Sequence, residues 1–100
     1  MANIICEAQK ALRQSAVNAA LRNINIHVFG GKASEKVVIE YVAGRLRLQP
    51  TDIKLWQVSN GVPKPYVADF LVILNEHSVW RMHQLRPTRH IAAHYVGAVA

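Results

Sequence analysis

Cysteine, acidic side chains and long apolar runs are all scarce in this chain. Cys6 is the only cysteine among 100 residues. No intrachain disulfide can form, so stability must come from a packed core, and a lone thiol fits a reducing, cytoplasmic setting. Six Asp and Glu stand against twelve Lys and Arg, giving a formal net charge of +6. No acidic residue follows Glu76, whereas Arg81, Arg86 and Arg89 do. That balance favours an anionic partner, nucleic acid first. The most apolar run, PYVADFLVIL, is interrupted by Asp69 and is too short to span a bilayer. The N-terminus has no basic stretch leading into an apolar run and cleavage site, so no secretion signal is expected.

Motifs that carry chemistry are equally sparse. GGK at residues 30–32 falls well short of a phosphate-binding loop. Ser15, Ser34, Ser59 and Ser78 have no nucleophile-elbow context. His90 and His94 are four apart and share a helix face, yet no carboxylate or cysteine joins them at ligand spacing, and zinc takes three or four ligands. His77 and His83 read as surface residues. The expectation is a protein that is not an enzyme and has no metal or cofactor.

What the chain does have is apolar content, 51 % of residues, enough for the core of one domain over residues 1–100. A chain of this length buries only ~60–70 % of its unfolded surface, so dimerisation would add useful stability. Ile4, Ile5, Ala8, Ala11, Leu12, Ala16, Ala19 and Leu21 recur at helical spacing and predict an N-terminal helix over 1–23. INIHVFGG, residues 24–31, reads either as a strand or as the end of a helix stopped by Gly30 and Gly31. Ser34 is the N-cap expected for a helix over 35–47, with Glu35 at its positive end.

The most informative stretch is VAGRLRLQPTDIKLWQ, residues 42–57. Ala43 and Leu46 share one helical face, and Ile53 and Trp56 share another. Pro50 suits the first turn of a second helix because its missing N–H needs no partner there. Asp52 adds a negative charge at the favourable end. The second helix should stop near Val58, before the Ser59-Asn60-Gly61 turn. Pro63 and Pro65 then read as an extended link. Two short helices meeting through Ala43 make a helix-turn-helix, and residues 34–75 are its core. Residues 66–75 read as a further helix with Val67, Phe70, Leu71 and Leu74 on one face. ADFLVIL-NEHS-VWRMHQL also reads as a β-hairpin over about 67–85, which would make the protein α+β with IKLWQV and INIHVFG as strands. The main expectation is a mainly α fold. Trp80 belongs to either a third helix or the hairpin. Residues 88–100 form a C-terminal tail or a dimer contact.

Taken in order, these segments resemble small lambdoid Cro-like or YdaS-like regulators of phages and prophages. VAGRL resembles the first helix of their motif, and LQPTDIKLW resembles their recognition helix. Gly61-Val62-Pro63, Leu85-Arg86-Pro87 and Gly30-Gly31 resemble pieces found after and before that motif. The chain departs from the pattern at Arg47, where the family usually has a turn glycine, and at Ile39, where a polar residue is common. The interval from Gly31 to Ala43 is also long by roughly two helical turns, and the N-terminal helix has no clear counterpart. The resemblance implies a sequence-specific DNA-binding transcriptional regulator, acting as a homodimer, with its second helix in the major groove of double-stranded DNA. Gln49, Thr51, Lys54 and Leu55 would then meet base edges. Arg45, Arg47 and Lys64 would neutralise phosphates, and about four such contacts imply a salt slope of about −3.6 for log K. Ile53 and Trp56 belong to the core. The competing expectation is a small α+β phage-type protein that binds and inhibits a host protein. RNA binding on a sheet face is weaker, because Phe29, Tyr66, Phe70 and Trp80 form no RNA-recognition signature.

Overall fold

The computed structural model describes residues 2–99 and is mainly α, with no strand among the described residues. The helices are α1 (Ala2–Phe29), α2 (Glu35–Leu46), α3 (Pro50–Val58), α4 (Lys64–Leu74), α5 (Met82–Leu85) and α6 (Arg89–Val99). No helix among the described residues is long and apolar enough to cross a membrane.

α1 is the organising rod. Its 28 residues span about 42 Å at the α-helical rise, close to the 40 Å long axis of the molecule. Val17, Ala20, Leu21 and Ile24 face inward, and α2, α3, α4, α5 and α6 all pack on it. The helix runs six residues past the expected end and absorbs INIHVF, which settles that segment as helix rather than strand. Ile24 is buried and Val28 half-buried one turn on, whereas Ile26 is 60 % exposed. Gly30 and Gly31, at φ 67° and 77°, then turn the chain. The Asn25 amide clamps that turn, donating to the Ala33 carbonyl (2.9 Å) and accepting from the Ala33 N–H (3.1 Å).

α2 begins as expected: the Ser34 hydroxyl accepts a hydrogen bond from the Val37 N–H. Its end is a Schellman closure. The Leu48 N–H donates to the Ala43 carbonyl (2.8 Å) and the Arg47 N–H to that of Gly44 (3.3 Å). This geometry requires a left-handed residue, and Arg47 supplies it at φ 59° and ψ 41°. A side chain in that conformation costs about 1 kcal/mol or more relative to glycine. Arg47→Gly is therefore expected to raise stability by about 1 kcal/mol, read as a higher urea midpoint at unchanged slope.

α3 opens at Pro50 as expected, and the Gln49 N–H donates to Asp52 Oδ2 (3.0 Å) to close its first turn. α4 starts earlier than Tyr66. Pro63 precedes it and Pro65 lies inside its first turn, so the two prolines launch the helix instead of extending a linker. Val67, Phe70, Ile73 and Leu74 are buried, with Leu71 half-buried at the edge of that face. The hairpin alternative over 67–85 is absent. The chain turns after Leu74, where Asn75 holds Trp80 from both sides: its side chain accepts from the Trp80 N–H (2.7 Å) and donates to the Trp80 carbonyl (3.1 Å). Trp80 thus sits in a loop, half-buried against the core, outside any helix. Residues 89–99 are a helix packed on α1 of the same chain.

Ile53 and Trp56 are core residues, as their spacing predicts. The Trp56 ring lies 5.5 Å from Tyr66 and 6.4 Å from Phe70, which ties α3 to α4. Ala43 is fully enclosed, so the small residue does lie where α2 meets its neighbours.

Candidate nucleic-acid interface

α3 is nailed down on one side and bare on the other. Ile53 and Trp56 hold it against the core. Thr51, Lys54, Leu55 and Val58 fall at i, i+3, i+4 and i+7, one stripe of a helix, and all four are exposed. Gln49, just before the helix, is exposed as well. The four residues expected to meet base edges, Gln49, Thr51, Lys54 and Leu55, are thus all on the solvent side. Val58 was not anticipated. It is 69 % exposed and extends the stripe by a turn. Its position seven after Thr51 was the available signal.

The three expected phosphate cations are not equivalent. Arg47 and Lys64 are exposed, one before α3 and one after it, and neither donates a side-chain hydrogen bond among the described residues. Arg45 is already engaged. Its guanidinium meets the Glu76 carboxylate through both terminal nitrogens, the Nη1 to Oε1 distance being 2.9 Å. Nη1 also donates to the Tyr41 hydroxyl at 2.9 Å, and the guanidinium lies 5.8 Å from the Tyr41 ring centre. The hydrogen bond from Arg45 holds the Glu76 carboxyl below the usual carboxylate range. The hydrogen bonds that Arg45 donates to Glu76 and Tyr41 hold its guanidinium above its own usual range. A carboxylate with a lowered pKa keeps its pair through neutral pH and loses it only as acid drives pH down through that lowered value. The pair is exposed, so it contributes little to stability. Its consequence is electrostatic: the charge of Arg45 is answered within the molecule. Glu76 is 31 residues from Arg45 in sequence, and no local pattern links them.

Beside this pair lies a groove of about 370 Å³ between the end of α2 and α4, lined by Arg45, Leu46 and Arg47 on one side and Asp69, Val72 and Ile73 on the other. Among the described residues, no three His, Cys, Asp or Glu side chains come together as metal ligands. His90 and His94 are both exposed on α6. His27 and His77 stack in parallel with ring centres 6.2 Å apart, joining the last turn of α1 to the loop after α4.

No family model matches the chain, and no curated protein or solved structure proves similar to it.

Proposed function

We propose that the protein is a sequence-specific DNA-binding regulator of the phage or mobile-element type, with α2 and α3 as a helix-turn-helix and α3 as the helix that enters the major groove. The observation that carries this reading is the exposed stripe on α3, backed by a buried Ile53 and Trp56. A helix fixed on one face and offering Gln49, Thr51, Lys54 and Leu55 on the other has the parts for base readout. Gln pairs with adenine, Lys with guanine, and Thr or Leu touches a thymine methyl. The net charge of +6 supplies the long-range attraction. A homodimer belongs to the reading, because one module contacts few bases and two half-sites multiply discrimination.

With Arg45 held by Glu76, Arg47 and Lys64 remain as phosphate contacts in each protomer. Four per dimer give a salt slope of about −3.6, so raising salt from ~50 to ~200 mM weakens binding about 150-fold. Fluorescence anisotropy on genomic DNA fragments at the two salts tests this. No retention of DNA at low salt would remove the reading. The competing reading, a small protein that binds and inhibits a host protein, is favoured by the exposed apolar Leu55 and Val58. It expects no DNA retention and little salt dependence.

The Arg45–Glu76 pair adds a separate expectation. Glu76→Gln frees Arg45 for a phosphate, raising low-salt affinity and steepening the slope by about 1.8 for a dimer. Arg45→Ala alone leaves the wild-type slope unchanged, and the double variant behaves as Arg45→Ala does. A slope in the double variant steeper than that of Arg45→Ala would show that loss of the Glu76 charge, and not release of Arg45, is responsible.

A further inference from the structure

We infer that the groove between α1 and the α2–α3 pair is a binding site for a free amino acid with an aliphatic side chain. The groove has a volume of about 520 Å³, within the range of small-ligand sites. Three helices converge on it. Leu21 of α1 and Val38 of α2 close its floor and are almost fully buried, and Val58 of α3, 69 % exposed, supplies the apolar surface that a ligand would cover. Arg22 and Glu35 place one cation and one anion on the walls. Asn18, Asn25 and Gln57 complete the polar lining, the Asn25 amide being engaged with Ala33.

The hydrogen-bond inventory leaves capacity where this ligand needs it. The two Gln57 amide hydrogens are spent, one on Asn18 Oδ1 (2.9 Å) and one on Glu35 Oε1 (2.7 Å). Glu35 therefore keeps its second carboxylate oxygen as an acceptor, and Asn18 keeps its amide donor. Arg22 is exposed and donates no hydrogen bond among the described residues. A guanidinium suits a carboxylate, and a carboxylate suits an ammonium. A ligand that carries both charges and a short apolar side chain matches the two wall charges and Val58 together. An amine or an acid alone leaves one wall charge unanswered, and a purely polar zwitterion leaves Val58 uncovered.

Val58 belongs both to this groove and to the end of the exposed α3 stripe, but the test of the site needs no DNA. The uniformly ¹⁵N-labelled protein is titrated with L-leucine, with 4-methylvalerate, which lacks the ammonium, and with isopentylamine, which lacks the carboxylate. L-leucine is expected to shift the side-chain amide signals of Asn18 and Gln57 saturably below about 10 mM, with both analogues at least about tenfold weaker. Arg22→Gln should erase the advantage of leucine over isopentylamine. Glu35→Gln should erase its advantage over 4-methylvalerate, while the retained amide oxygen still accepts from Gln57. Circular dichroism establishes that each variant keeps its helices. No saturable shift with L-leucine overturns the site. Equal binding of all three compounds overturns the zwitterion assignment, and so does an advantage that survives both substitutions.

Discussion

Gly61→Ala is expected to lower the thermal midpoint by roughly 10–25 °C, a loss of ~3 kcal/mol in a domain of this size. Two separate costs combine. Gly61 sits at φ 73°, where an L side chain costs about 1–2 kcal/mol. It also lies against α1, and a Cβ there would come within 2.7 Å of Arg13 Cβ and 2.8 Å of the Arg13 carbonyl oxygen. The second contact is with helical backbone, which cannot rotate away. The surrounding contacts oppose relief by separation. The Gln14 amide donates to the Ser59 carbonyl (2.6 Å), Arg86 donates to the Val62 carbonyl (2.7 Å), and Arg13 Nε donates to that of Pro87 (2.8 Å). These bonds hold the loop after α3 and the segment before α6 onto the same turn of α1. Burial, and then the neighbouring charge of Arg86, push the Arg13 guanidinium below its usual range, so this cation is held by geometry and not by an opposite charge. Gly30→Ala is the control. Gly30 has φ 67° but nothing within 4 Å of a new Cβ, so it should lose only the conformational term of about 1–2 kcal/mol. Equal losses at the two sites, measured by thermal unfolding, would show that the approach to Arg13 is unimportant.

The contrast between these glycines also shows what could be read from the sequence. Ser59-Asn60-Gly61 announces a turn, but nothing local says that an arginine 48 positions earlier will press on it. The starts of α2 and α3 were legible for the same reason that turns were: Ser34, Pro50 and Asp52 act on atoms a few residues away; that of α4 was not, because Pro63 and Pro65 suit an extended link as well as a first helical turn. The bend at Arg47 was legible because Pro50 forces a new helix so soon after α2 ends. Segment 24–29 was ambiguous because Ile24, Ile26 and Val28 alternate like a strand. The decision came from packing, which buries Ile24 and leaves Ile26 in solvent, with Asn25 spent on the following loop. The same holds for 64–74, where an apolar run suits a strand or a helix equally. Its burial of Val67, Phe70, Ile73 and Leu74 at helical spacing settles the matter only once a partner surface exists. The face of α3 followed from Ile53 and Trp56 alone. The pairing of Arg45 with Glu76 and the convergence of Arg22, Glu35 and Gln57 are long-range and left no local trace.

Substituting alanine for both Gln49 and Lys54 is expected to abolish discrimination between a specific site and random DNA while the protein remains folded. Each side chain that pairs with a base edge is worth ~1–3 kcal/mol of discrimination, so the pair removes ~2–6 kcal/mol per half-site, roughly 30-fold to ten-thousand-fold. The fold should not register the change. Both residues are exposed, and surface substitutions of this kind usually stay within about 0.5 kcal/mol. The Gln49 N–H donates to the Asp52 carboxylate and the Gln49 carbonyl accepts from the Asp52 N–H (3.0 Å), and alanine retains both backbone groups. Alanine at 54 also favours the helix over lysine. Because neither residue is assigned to a phosphate, the salt slope on random DNA should change far less than the affinity for a selected site. The experiment selects a preferred sequence from a random pool with the wild-type protein, then measures both proteins on selected and random duplexes at two salts. A double variant that keeps its preference would remove α3 as the reading helix, even if the protein still binds DNA. A variant that loses selected and random binding equally would turn Gln49 and Lys54 into contacts with the backbone of the duplex.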